Sequence, residues 1–219
     1  YYYALQKYNQ ALKQRNALLK DPEPPSPGAL APWDEQLSVL GAGIMLARAE
    51  QIARLADVAS DLHETLSDGR EFLEAAYQPN FPLGERTSLV DRLRDAFAAN
   101  AERDLRYGST TAGPHRDDLL LTLDGADVRI YGSQGQQRTT ALSLKLAQLE
   151  MLREDKGEAP VLLLDDVFSE LDKRRQQMLL IAVQGCQTFL TCTHLEQLTD
   201  AGAASMQVYT VANGDVLEV

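Results

Sequence analysis

Val161-Leu162-Leu163-Leu164-Asp165-Asp166, followed at once by Val167-Phe168 and then Ser169-Glu170-Leu171-Asp172, is the stretch whose reading decides the fold of this chain. The four aliphatic residues predict a short strand buried on both faces, as in parallel sheets. Two carboxylates then emerge at its C-terminal edge, where the ligands of open α/β sheets collect. One acid there can hold Mg²⁺ through water, and the second can orient or deprotonate an attacking water. Asp165 is therefore assigned to the metal shell and Asp166 to the water-activating base. An isolated pair of acids would more simply cap a helix or face solvent. Here the aliphatic strand before them and the Ser-Glu-Leu-Asp turn after them favour the chemical role.

This pattern is a Walker B box, and its usual partner is not in the sequence. A phosphate-cradling loop reads G-x-x-x-x-G-K-[ST]. Gly108 and Gly113 have the spacing, but Pro114 and His115 follow them, so no lysine can reach the β- and γ-phosphates. The chain is expected to be the C-terminal part of a longer ATPase. Its start at Tyr1-Tyr2-Tyr3, with no initiator Met and no targeting character, agrees.

With 219 residues, 44% of them hydrophobic, the chain can bury one substantial core or two small ones. No apolar run approaches the roughly 20 residues that span a bilayer, so no membrane is expected. Cys186 and Cys192 are too few for a disulfide framework and read as thiols of a reducing, cytoplasmic compartment. A net charge of −11 argues against general polyanion binding by the segment as a whole. Residues 1–20 nevertheless carry Lys7, Lys13, Arg15 and Lys20 with no acid, a basic face that is solvated or touches phosphates.

Tyr1, Leu5, Tyr8, Leu12 and Leu19 share one side of a first helix, which the proline-rich loop 21–32 ends. A long helix follows from about Asp34 to Ser67, with a break expected at Gly41 and Gly43 and a stop at Asp68-Gly69. Residues 70–77 fit strand or helix, and a third helix is read from Ser88 to about Arg103. Residues 1–105 are thus read as a mainly helical subdomain, and 106–219 as an ATPase lobe. In that lobe Leu119–Leu123 and Val128–Tyr131 are expected to form a hairpin around Asp124–Asp127. A helix bearing Leu142, Leu146, Leu149 and Leu152 comes next, then the Walker B strand, a helix Leu171–Val183 and a strand Thr188–Thr191. A last hairpin turns at Asn213-Gly214. Strand, helix, strand in succession predicts an α/β fold, a parallel sheet with an antiparallel edge.

Ser133-Gln134-Gly135-Gln136 opens the helix that precedes the Walker B strand. By itself it is an N-cap and a tight turn, although helix N-termini also receive anions. Its order, one helix before Walker B, resembles the signature motif of ABC-type ATPases, in which one subunit's motif closes over the γ-phosphate held by the other. Asp172 resembles the D-loop aspartate of that family, and His194, beyond the neighbouring strand, its switch histidine. A histidine there would sense the γ-phosphate. Arg138 is left open. Gly113-Pro114-His115 reads as a turn, and Arg116 beside Asp117 and Asp118 as a local ion-pair cluster.

The closer resemblance is to the RecF family of bacterial recombination-repair ATPases. It is carried by Tyr8–Lys20, Gly113–Leu119, Tyr131–Thr139 and Leu164–Asp172. Residues 21–104 match only in general character. The resemblance implies ATP and Mg²⁺ as cofactors, with Asp165 at the metal and Asp166 and His194 catalytic. It places Ser133, Gly135, Gln136 and Asp172 at the nucleotide. It further implies an ATP-dependent homodimer that binds duplex and gapped DNA and acts with RecR-like and RecO-like mediator proteins. Two other readings share the motifs. An SMC-type chromosome-organising head would carry long heptad coiled coils, whereas this chain offers one long helix. A non-catalytic ATP-gated clamp or scaffold would bind ATP without turnover.

Overall fold

The computed structural model describes residues 1–23, 25–26, 28–193, 206–212 and 214–218. The fold is α/β, in two compact units: Tyr1–Ser60 with Phe72–Gly132, and Asp61–Glu71 with Ser133–Val219. The first unit runs on to Gly132, because the strand Asp118–Leu123 pairs with Leu73–Gln78.

In the first unit, α1 (Tyr2–Leu19), α2 (Ala31–Ser67) and α3 (Arg86–Ala99) enclose a core of Tyr8, Leu37, Ile44, Met45, Leu89, Leu93 and Phe97. The helical periodicity in the sequence anticipates Tyr8, Leu19, Leu37, Ile44, Leu89, Leu93 and Phe97, all of them buried. The third helix is in fact two, since Asn100 separates α3 from α4 (Ala101–Tyr107). No break occurs at Gly41 or Gly43, for α2 is a continuous helix of 37 residues. Gly41 is there for packing. A Cβ on it would lie 3.3 Å from Pro114 Cδ and 3.4 Å from Tyr8 Cε2. That close approach compensates for a mid-helix glycine, which costs about 1 kcal/mol relative to alanine.

The ambiguous residues 70–77 contain a strand, β1 (Leu73–Gln78), antiparallel to β2 (Asp118–Leu123). Asp124 and Gly125, at φ +49° and +81°, turn the chain into β3 (Ala126–Asp127). The return strand expected at Val128–Tyr131 is instead a helical turn, α5. Asp127 caps it by accepting the Arg129 N–H at 2.8 Å, which draws the backbone out of the ladder.

The Gly113–Asp118 stretch is a structural clasp. Gly113 sits at φ +113°, and a Cβ there would come within 2.6 Å of Tyr8 Oη. His115 Nδ1 lies 2.8 Å from that hydroxyl and its Nε2 3.0 Å from the Thr110 carbonyl. A neutral imidazole fits both contacts, and burial holds the His115 pKa below its usual value. The ion-pair cluster expected around Arg116 is absent, because its neighbours have other partners. Asp117 takes Arg48 Nη1 at 3.0 Å, the Tyr77 hydroxyl and the Asn80 N–H, while Asp118 takes Arg129. Arg116 donates to the Thr110 carbonyl at 3.3 Å.

Deep in this unit Arg15, fully buried, donates to Asp34 Oδ1 and Asp104 Oδ2 at 2.6 Å each and to Thr110 Oγ1 at 2.9 Å. Its guanidinium lies over the Phe97 ring at 5.4 Å. Arg15, read from the sequence as part of a basic surface, is therefore a core residue.

In the second unit, α6 (Gln134–Lys156) and α7 (Lys173–Ala182) pack with β4 (Leu162–Leu164) and β5 (Thr188–Leu190). Leu142, Leu146, Leu149, Phe168, Leu179 and Val183 form the core, joined by Leu66 from the end of α2. Leu152, expected on the buried side of α6, is 45% exposed. β4 and β5 are parallel, as expected. β4 is not buried on both faces. Leu162 and Leu164 meet the helices, whereas Leu163 is 74% exposed, because the helices of this unit cover one side of the ladder only. A separate antiparallel ladder, β6 (Tyr209–Ala212) with β7 (Asp215–Glu218), closes the chain.

Candidate functional site

The β4–β5 register brings Asp165 and Asp166 beside a residue that composition alone does not single out. Leu164 accepts from the Thr191 N–H at 2.9 Å, which extends the parallel ladder by one residue past β5. The Thr191 hydroxyl then donates to Asp165 Oδ1 at 2.6 Å and accepts the Asp166 N–H at 2.9 Å. One side chain thus fixes the carboxylate of the first acid and the backbone of the second. Asp166 adopts φ +50°, a left-handed conformation that Asp tolerates better than most residues. It opens the 3₁₀ turn Val167–Glu170. That turn is anchored by the fully buried Phe168, whose carbonyl accepts from Gln176 Nε2 at 2.8 Å.

Asp165 and Asp166 are both exposed at the strand end, as a group that meets solvent-borne ligand must be. The Asp165 carboxylate spends one lone pair on Thr191 and keeps others for a water-bridged cation. Among the described residues no group of three or more His, Cys, Asp or Glu side chains forms a protein cage for a metal. Mg²⁺ at nucleotide sites rests on one or two carboxylates plus waters and phosphates, so this donor set suits it.

Asp172 is the N-cap of α7, accepting the Arg175 N–H at 3.0 Å and Arg175 Nη1 at 2.9 Å. The pair leaves its carboxylate more than half exposed. Arg174, on the next turn, makes a two-pronged ion pair with Asp68, and that pair lowers the Asp68 pKa. His194 lies outside the described residues.

Ser133 and Gln136 form a capping box at the start of α6: Ser133 N–H donates to Gln136 Oε1 at 2.8 Å, and Gln136 N–H to Ser133 Oγ at 3.3 Å. The N–H groups of Gln134 and Gly135 lie in this first turn, where a helix offers no acceptor of its own. Gly135 has no packing reason to be glycine. A Cβ on it would meet nothing closer than Ser133 Oγ at 3.9 Å. Among the described residues nothing crowds the Cβ position of Gly135, and the positive end of a 23-residue helix lies behind this turn. Gly132 differs: its Cβ would lie 2.5 Å from the Val128 carbonyl oxygen, so that glycine is required by the chain's own backbone.

Two further residues, not flagged by the sequence motifs, underlie this turn. Glu71 Oε1 accepts from Gln136 Nε2 at 3.1 Å, and Glu71 Oε2 lies 3.2 Å from Nε2 of the fully buried His63. No spacing rule points from the end of α2 to the start of α6.

No family model matches the sequence. Curated proteins do. The chain is 41% identical over 220 residues to the DNA replication and repair protein RecF of Alkaliphilus oremlandii, covering 99% of this chain and 60% of that protein. It is 43% identical over 230 residues to RecF of Halothermothrix orenii, covering 98% and 59%. The chain thus spans about 60% of the length of these relatives. Among solved structures it resembles the recombination mediator protein RecF-ATPrS of the RecFOR pathway, with a TM-score of 0.87 and 35% identity over 100% of this chain and 58% of that one. The RecF-ATP structure of the same pathway gives 0.85 at the same identity and coverage.

Proposed function

We propose, on the premise that this chain belongs to the RecF family as the counterpart of its members' C-terminal portion, that it supplies the hydrolytic edge and the trans-acting lid of an ATP-dependent DNA-repair protein. The observation that carries this reading is the Asp165–Thr191–Asp166 cluster at the end of a parallel strand, in a fold shared with a RecF–ATP structure. The phosphate cradle would lie in a part of the protein outside this chain.

Asp165 would hold Mg²⁺ through water, and the ion would neutralise charge on the β- and γ-phosphates. Asp166, set beside it by the left-handed turn, would orient the attacking water and take its proton. The open first turn of α6, with Ser133, Gly135 and Gln136, would close over the γ-phosphate bound by a second subunit and present backbone N–H groups to developing negative charge. His194 would contact the γ-phosphate from the far side, and Asp172 would link the two composite sites. ATP would then act as the adhesive of a homodimer that grips duplex or gapped DNA and works with RecR-like and RecO-like partners. Slow hydrolysis would release it.

The intact protein is expected to sediment as a monomer without nucleotide and as a dimer with Mg²⁺-ATP. A sedimentation coefficient unmoved by Mg²⁺-ATP would contradict the proposal.

A further inference from the structure

We infer that Glu71, gripped by the buried His63, is a positioning residue that holds the first turn of α6 ready for the partner subunit's nucleotide. The inference rests on the composite-site reading above. Five contacts make one chain. Gln136 Nε2 donates to Glu71 Oε1 at 3.1 Å, and Glu71 Oε2 lies 3.2 Å from His63 Nε2. His63 Nδ1 lies 3.1 Å from Ser143 Oγ, which itself donates to the Thr139 carbonyl at 2.9 Å. Thr139 Oγ1 in turn donates to the carbonyl of Gly135 at 2.8 Å. The network therefore grips the signature turn twice, at the Gln136 side chain and at the Gly135 backbone. His63, Thr139 and Ser143 are fully buried, so the grip is sealed from water on its inner side.

Glu71 is held through both of its oxygens. Oε2 faces His63 Nε2 and Oε1 accepts from Gln136, while the other ring nitrogen of His63 is engaged by Ser143 Oγ, which fixes the plane of the imidazole. The Gln136 amide is consequently tied at both ends, its oxygen to the Ser133 N–H at 2.8 Å and its nitrogen to Glu71. It can swing neither into solvent nor across the open face over Gly135, and that face stays available to phosphate. A Ser-His-Glu constellation of this kind is not a nucleophile, because its serine is fully buried.

The test uses the intact protein and two variants. Glu71→Ala removes the acceptor and frees Gln136. Glu71→Gln keeps the geometry, since its amide oxygen can accept from Gln136 while its nitrogen donates to a neutral His63. Binding of a fluorescent ATP analogue, measured at dilutions where subunits are separate, is expected to be the same in all three proteins. Self-association driven by Mg²⁺-ATP is expected to weaken about tenfold or more in Glu71→Ala and to return to within about twofold of the original in Glu71→Gln. The inference is overturned if Glu71→Ala associates normally, if Glu71→Gln is as weak as Glu71→Ala, or if Glu71→Ala also loses nucleotide binding. Failure of the unmutated protein to associate with ATP would instead sink the composite-site reading and this inference with it.

Discussion

Asp166→Asn in the intact protein is expected to slow ATP turnover by about a hundredfold or more, the typical contribution of a general base. The substitution is nearly isosteric, and asparagine also tolerates the left-handed φ of +50°. The backbone N–H that Thr191 accepts is unchanged, so the turn keeps its place. What goes is the ability to take a proton from the attacking water. Nucleotide binding and closure do not need that proton transfer, so the ATP-bound dimer should form and outlive the original. Phosphate release and dimer lifetime, read on the same preparation, check both halves. Turnover at the original rate would remove Asp166 from the role of base.

Arg15→Met is expected to cost about 3–5 kcal/mol of stability, the usual penalty for removing one partner of a buried ion pair. The methionine fills similar space over Phe97 but leaves the Asp104 carboxylate, wholly inaccessible, and the largely buried Asp34 without their cation. The Thr111 N–H and hydroxyl would remain as donors to Asp104 and are too few to replace a guanidinium. Urea unfolding should show a lower midpoint with an unchanged slope. A loss below about 1 kcal/mol would mean that the Arg15 cluster is not what holds this unit together.

Short-range pattern was legible in the sequence, and long-range pairing was not. Tyr8, Leu37, Ile44, Leu89 and Phe97 announce themselves by helical spacing, because burial selects residues one turn apart. The strand that ends before Asp165 and the turn that follows Asp166 are legible because both are local features. Arg15, by contrast, looks like any basic surface residue until Asp104, 89 residues away, folds against it. Thr191 is 26 residues from Asp165, and Ser143 is 80 from His63. Such pairs follow from tertiary packing that no window of the sequence contains. Gly41 misled for a related reason. Its propensity argues for a break, and the approach of Pro114 and Tyr8 overrides it. At Val128, one side-chain cap from Asp127 decided between strand and helical turn, a balance too fine for alternating hydrophobicity to register.

The central claim is that the lid of one subunit and the hydrolytic edge of another make a single site, and mixing two inactive variants tests it most directly. Asp166→Asn disables the edge. Gly135→Glu disables the lid, placing a negative charge where phosphate should dock in a position with room for a side chain. Each homodimer then has two damaged sites. A mixed dimer has one site carrying both changes and one carrying neither, so equal mixing should restore about a quarter of the original turnover for a symmetric dimer with random assortment. A mixture as inactive as its components would contradict the account, because it would mean that edge and lid act within one subunit.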